Sequence, residues 1–290
     1  MNSTKITVAD FLIKLLSESN IELEEGYFPF LSNENTAEAD ISIECIAGLP
    51  GNPFENEKLV FEAKNETQKF YSIYKSGSNL GFIIYNQQTN EIQQLATLDE
   101  TYTHWKIYSE LTDENNLLPL KYPMGPIILH YLTVKSDAVM IHASCAFDGF
   151  NGRIFTGFSG EGKSTISKIW ADAGNLIVND DRLIIRKREN DFYVHNTPMY
   201  YQDVPKAVPL NSIFLISHSP QNKIKKLSGA LAVSKVLAFC IQNNFDKKII
   251  HNHLEFLSEL CTHISVYELG FVPDSGVVNF IKANETGGIK

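Results

Sequence analysis

The chain has 290 residues, of which 43% are apolar and 20% charged, enough to build a core and too apolar for a disordered chain. No window approaches eighteen uninterrupted apolar residues, which excludes a membrane-spanning helix, and the polar start Met1-Asn2-Ser3-Thr4-Lys5 lacks the apolar stretch of a secretory leader, so a cytoplasmic protein is expected. The net charge of −9 divides into −12 over residues 1–120 and +3 over 121–290; neither part has the dense basic patch that duplex nucleic acid requires, so no nucleic-acid or membrane partner is expected.

Along the chain, an amphipathic helix is expected over residues 8–19. Short runs of β-branched and aromatic residues follow at 39–47, 58–63, 69–75, 80–85, 91–97 and 104–109. Turn chemistry separates them, as in Gly48-Leu49-Pro50-Gly51-Asn52-Pro53 and Ser76-Gly77-Ser78-Asn79. Antiparallel strands joined by hairpins should result, as a sheet or open sandwich. A boundary falls at residues 112–123, where a polar run is followed by Pro119 and Pro123. This divides the chain into a β-rich N-terminal domain over 1–118, with no recognisable chemistry, and a second domain over 119–290. Residues 125–132 read as a helix, and from Val139 onward strands and helices alternate, the pattern of an α/β core. The four cysteines, Cys45, Cys145, Cys240 and Cys261, lie far apart without a C-x-x-C pair, which argues against a zinc site or a disulfide scaffold.

The strongest signal is Gly157-Phe158-Ser159-Gly160-Glu161-Gly162-Lys163-Ser164-Thr165, which fits G-x-x-x-x-G-K-[ST] at every fixed position. A strand over 153–156 should run into it and a helix over 164–173 should leave it. Glycines let successive N–H groups point inward at phosphate oxygens, and the start of the helix favours the same anion. A nucleoside triphosphate is the expected ligand, with Lys163 reaching its β- and γ-phosphates and the Ser164 hydroxyl holding Mg²⁺.

After Gly174 comes a strand ending in Asn179-Asp180-Asp181-Arg182. Adjacent acids at such a strand end allow one to ligate or orient the metal while the other accepts a proton from an incoming hydroxyl. The short spacing from Lys163 predicts that this strand lies next to the one entering the loop. Upstream, Ile141-His142-Ala143-Ser144 should end a neighbouring strand.

The order His142-Ala143-Ser144, glycine loop, Asn179-Asp180-Asp181-Arg182 resembles the C-terminal catalytic domain of HPr kinase/phosphorylase and its relatives, a core that itself resembles phosphoenolpyruvate carboxykinase. The likeness covers residues 139–187 by motif and about 121–285 by element order, and does not cover 1–120. It implies an α/β fold, with a P-loop kinase core of this type behind a smaller β-rich (α+β) domain. It also implies an ATP- and Mg²⁺-dependent kinase acting on a serine-type hydroxyl of a peptide or protein. On this resemblance Asp180 is the general base, Asp181 helps Ser164 organise the metal, and His142 tunes the carboxylates.

The family's glycine-containing second signature is missing. In its place stands His195-Asn196-Thr197-Pro198-Met199-Tyr200-Tyr201-Gln202-Asp203-Val204-Pro205, closer to related kinases with a Pro-aromatic loop, some thought to modify serines in small peptides. Tyr200, Tyr201 and Asp203 are therefore the expected acceptor contacts. Rings formed by members of the family leave a homo-oligomer open.

Two rival readings keep the same loop. One is a catalytically silent, nucleotide-gated binding module; the other is a kinase for a small-molecule hydroxyl. Of the remaining signals, Ser228 is expected to cap a helix over 230–240. His251 and His253 should lie in an amphipathic helix with Ile249, Phe256, Leu257 and Leu260. Lys223, Lys225 and Lys226 form a small basic cluster, a solvated face or a contact for an acidic partner.

Overall fold

The computed structural model describes residues 2–33, 38–134, 136–199, 205–241 and 245–285. It is a mixed α/β structure with three sheets among the described residues, and it divides into two compact units. Residues 1–135 with 243–247 form the first, and 136–242 with 248–290 the second.

The first unit contains β1 (Asn2–Val8), β2 (Phe11–Ser17), β3 (Asn20–Ile21), a 3₁₀ turn (Glu25–Phe30), β4 (Ile41–Ala47), β5 (Lys58–Lys64), β6 (Lys69–Ser76), β7 (Asn79–Tyr85), β8 (Ile92–Leu98), β9 (His104–Ser109), β10 (Asn116–Leu117) and α1 (Met124–Val134). Eight of these strands form one sheet in the order β1-β2-β4-β9-β8-β7-β6-β5, while β3 and β10 pair in parallel. The strands expected between residues 39 and 109 are present as β4 to β9. The meander from β5 to β9 is antiparallel throughout, but β4 pairs in parallel with both β2 and β9. Alternate residues of β7 face opposite sides. Phe82 meets the rings of Trp105 and of Tyr131 on α1, while Ile83 packs with Phe54 and Leu95.

The helix expected over residues 8–19 does not form. Residues 2–17 are instead a hairpin of β1 and β2 in full register, from Asn2 opposite Ser17 to Val8 opposite Phe11. The two turn residues, Ala9 and Asp10, both take positive φ (50° and 62°), the geometry of a tight hairpin turn usually signalled by Asn-Gly or Asp-Gly. Without that signal, the apolar run Phe11-Leu12-Ile13, buried on both faces, mimics helical spacing.

The second unit contains β11 (Ala138–His142), β12 (Ser144–Phe147), β13 (Gly152–Thr156), α2 (Lys163–Asp172), β14 (Leu176–Asn179), β15 (Arg182–Arg188), β16 (Asp191–His195), β17 (Ala207–His218), β18 (Lys223–Leu227), α3 (Gly229–Leu237), α4 (Lys247–His263), β19 (Ser265–Phe271) and α5 (Gly276–Glu285). The long strand β17 joins two sheets. Its first residues continue β11-β15-β16, and the rest sits between β13 and β19 in the order β14-β12-β13-β17-β19-β18. Strands β13, β17 and β19 run parallel. β14 is thus one strand removed from β13, because the β12–β13 hairpin places β12 between them.

Helices cover both faces of this second sheet, and strand alternation sorts the core accordingly. Phe155, Phe214 and Tyr267 pack with Ile166 and Trp170 of α2 and Val277 and Ile281 of α5. Ile154, Ile213 and Val266 face the other way, toward Val233 and Val236 of α3 and Phe256, Leu257 and Leu260 of α4. Ser228 does stand at the N-cap of α3, in extended backbone, but its hydroxyl makes no capping bond. Both His251 and His253 lie in α4, His253 on its buried side and His251 exposed. No helix among the described residues is long and apolar enough to cross a membrane.

Candidate functional site

Strand β13 is buried at every residue and delivers the chain into the glycine loop at its C-terminal end. Gly157 must be glycine: a Cβ there would stand 2.7 Å from the Glu161 carboxylate and 3.0 Å from the Ile216 carbonyl oxygen. Gly160 and Gly162 take φ of 85° and 94°, the left-handed region open to glycine at little cost. Gly162 is also the N-cap of α2 and has no side chain with which to cap it. The first-turn N–H groups of Lys163, Ser164 and Thr165 have no intrahelical acceptor, and Ser164 and Thr165 are exposed. A helix start of this kind attracts an anion.

The loop is held from within. The Glu161 carboxylate accepts the Phe158 N–H at 2.8 Å. Lys163 donates its ammonium to the Gly157 and Phe158 carbonyls at 2.8 and 3.2 Å. His218, at the end of β17, meets the Gly160 carbonyl at 3.1 Å and stacks on Phe271. Ser159 and Gly160 are exposed at the tip.

The other candidate residues arrive on a single antiparallel ribbon. Segment 138–147 pairs with segment 176–188, first as β11 with β15 and then as β12 with β14. Where the ribbon passes from one sheet to the other, the Ala143 N–H donates to the Asp181 carbonyl at 3.1 Å. His142 therefore lies opposite Arg182, and the Asp180-Asp181 turn falls at this crossover. The Thr156 hydroxyl donates to the His142 carbonyl at 2.8 Å, tying the crossover to the last residue before the loop.

The structure thus brings together His142, Lys163, Ser164, Asp180 and Asp181. The Ser164 hydroxyl lies near enough to the Asp180 carboxylate to favour its charged form. Asp181 is bonded to Arg182 and stands 3.6 Å from His142 Nδ1. Burial pushes the Asp180 carboxyl above its ordinary value and the adjacent Asp181 adds to the rise, against the Ser164 hydroxyl, which lowers it. Burial also lowers Lys163, and burial together with the nearby Lys163 charge lowers His142 below its usual 6.5. Tyr200, Tyr201 and Asp203 lie outside the described residues.

Sequence reasoning gave Asn179 no role, yet it is the most connected side chain here. Only 1% exposed, it donates to Asn196 Oδ1 and to the Met199 carbonyl, both at 2.8 Å, and accepts the Asp181 N–H at 2.9 Å. It fixes the aspartate turn to the segment 196–199. The only signal in the sequence was an asparagine directly before two acids, which reads equally as ordinary turn chemistry.

Ser164, Asp180 and Asp181 offer oxygen ligands only. No cluster of three or more His, Cys, Asp or Glu side chains able to hold a metal occurs among the described residues. This donor set fits Mg²⁺, which is commonly held by one or two carboxylates together with substrate phosphates and water.

No protein-family model matches the chain, and no curated protein matches it. Among solved structures, that of the Hpr(Ser) kinase/phosphatase from Coxiella burnetii is similar over 50% of this chain and 91% of that chain, at 14% identity and a TM-score of 0.27, a distant structural relationship.

Proposed function

We propose that the second unit is a P-loop kinase core that binds ATP with Mg²⁺ and transfers the γ-phosphoryl group to a serine-type hydroxyl of a peptide or protein. The observation that carries this reading is the meeting of three features at one end of the sheet: a glycine loop opening an uncapped helix, the Ser164–Asp180 pair, and Asp181 held by Arg182 beside His142. The choice of ATP and of a serine hydroxyl rests on the motif resemblance.

In this reading the N–H groups of Lys163, Ser164 and Thr165 bind phosphate oxygens, and the Lys163 ammonium adds positive charge at the same place. Ser164 and the paired aspartates would hold Mg²⁺, which when bound supplies charge neutralisation on the phosphates. Asp180 takes the proton as the acceptor oxygen bonds to the γ-phosphorus and the bond to the bridging oxygen breaks, releasing the nucleoside diphosphate. A carboxylate raised in pKa by burial and by a neighbouring acid is the better proton acceptor. Asp181 is held beside Asp180 by its bond to Arg182. His142, with its pKa depressed by burial and by the Lys163 charge, stays neutral at pH 7.

The test is transfer from γ-labelled ATP to an extract separated into small-molecule, peptide and protein fractions. Label in the peptide or protein fraction, lost with Lys163→Ala, supports the proposal. Label in the small molecules alone would replace it with a metabolite kinase. Tight Mg-ATP binding without transfer would replace it with a nucleotide-gated binding module.

A further inference from the structure

The glycine loop is tied to the aspartate turn twice, and both ties end on the main chain of His142. The first is at the root of the loop, where the Thr156 hydroxyl donates to the His142 carbonyl at 2.8 Å. The second is at the tip and runs through Phe239. After α3, residues 238–241 close the outer edge of β11. The His142 N–H donates to the Phe239 carbonyl at 3.0 Å, the Ile241 N–H donates to the Met140 carbonyl at 2.7 Å, and Ile141 stands opposite Cys240. Phe239 is half-buried and packs against the core of the second unit. Its ring meets that of Phe158 edge-to-face at 5.1 Å.

Phe158 depends on that contact. Its side chain is 67% exposed and borders a cavity of about 610 Å³ beside the loop. Among the described residues, Phe239 is its only ring contact. Its main chain, by contrast, is built into the loop: the N–H meets the Glu161 carboxylate at 2.8 Å, and the carbonyl accepts the Lys163 ammonium at 3.2 Å. The ring contact therefore bears directly on where Lys163 stands. His218 holds the tip at Gly160, but from β17. The Phe158–Phe239 contact joins the tip to the strands that carry the aspartate turn, and it does so at His142, 3.6 Å from Asp181. Phosphoryl transfer is mainly a matter of positioning, and a misplacement of about 1 Å can cost on the order of a hundredfold in rate.

We infer that Phe239 is a positioning residue, which through Phe158 holds the glycine loop in register with Asp180 and Asp181. The inference rests on the proposal that these groups form one phosphoryl-transfer site. The contact acts on transfer more than on nucleotide affinity, because the N–H groups that bind phosphate belong to the helix start beyond it.

The test compares full-length wild type, Phe239→Leu, Phe158→Leu and the double variant. Calorimetry gives the affinity for Mg-ATP, and γ-labelled Mg-ATP gives kcat for transfer to the extract fraction that the wild type labels. Leucine keeps an apolar side chain and loses the ring. Each single variant should bind Mg-ATP within about twofold of wild type and transfer about three- to tenfold more slowly, the effect of one lost aromatic pair. The double variant should be no slower than the slower single variant, because the same contact is lost only once. Phe239→Tyr, which keeps the ring, should restore transfer to within about twofold of wild type. Phe158 lies outside the core, so Phe158→Leu still decides between the outcomes if Phe239→Leu fails to fold.

Losses that multiply in the double variant, unchanged transfer by Phe158→Leu, or Mg-ATP affinity that falls as far as transfer would overturn the inference and leave the kinase reading standing. Mg-ATP bound by the wild type without any transfer would sink the kinase reading and this inference with it.

Discussion

Asn179 offers the sharpest test of the site's architecture, because its role follows from geometry without reference to the reaction. Its amide makes two 2.8 Å bonds, to Asn196 Oδ1 and the Met199 carbonyl, and its oxygen accepts the Asp181 N–H at 2.9 Å. The Asn196 oxygen also accepts the Thr197 N–H at 2.8 Å. Asn179→Ala therefore removes these three short bonds, one fully and two partly buried, and a longer one to the Thr197 carbonyl at 3.5 Å; at about 1 kcal/mol net for each short bond the loss is about 3 kcal/mol. Asn179→Asp is the sterner variant. It has nearly the same shape, but at neutral pH it turns a carboxylate oxygen toward two acceptor oxygens, so it should cost at least as much as alanine. That deficit should narrow in acid, where the new carboxyl can donate. The chain has two tryptophans, Trp105 in the first unit and Trp170 in the second. Urea unfolding in a Trp105→Phe background thus reports the second unit through Trp170. A loss below about 1 kcal/mol for alanine, or wild-type stability for aspartate at pH 7, would refute the reasoning.

Other outcomes follow from single positions. Gly162→Ala places a side chain at φ 94° with its Cβ 3.0 Å from the Phe271 ring; it should cost about 1–2 kcal/mol from backbone strain alone and weaken any anion at the loop, and an unchanged melting temperature would contradict it. The folded-state pKa of Asp180 is raised above its ordinary 3.8, so the stability it contributes is complete below that pH and is lost as pH rises through the folded value. Asp180→Asn should accordingly melt higher than wild type at pH 7, with the advantage gone below about pH 3.8; a variant that melts lower at pH 7 would show that the carboxylate is not a burden on the fold.

Much of the site could be read from residue order because its chemistry is local. The glycine loop depends on nine consecutive residues, and the steric needs of Gly157, Gly160 and Gly162 are written in them. The pairing of Ser164 with Asp180, and of Asp181 with Arg182, was out of reach. It depends on a ribbon crossing between two sheets, and adjacent carboxylates look interchangeable until the backbone aims them apart. The same holds for β14, kept from β13 by an intervening hairpin. At the N-terminus the error was one of period. Residues 11–13, 15 and 16 are apolar and fall on both faces of the strand, and the turn before them, Ala9-Asp10, lacks the Asn-Gly or Asp-Gly pair that marks a tight hairpin. The cavity beside Phe158 gathers residues from across the second unit, a proximity that spacing along the chain does not encode.

In the proposed function the glycine loop and the aspartate turn form one phosphoryl-transfer centre. Its most direct test measures Mg-ATP binding and γ-phosphoryl transfer on the same preparations of wild type, Lys163→Ala and Asp180→Asn. Only the wild type should transfer at full rate. Asp180→Asn should still bind nucleotide while its transfer falls by about a hundredfold or more, and Lys163→Ala should lose on the order of 3 kcal/mol of transition-state stabilisation. Transfer at the wild-type rate by Asp180→Asn, or by Lys163→Ala, would contradict it.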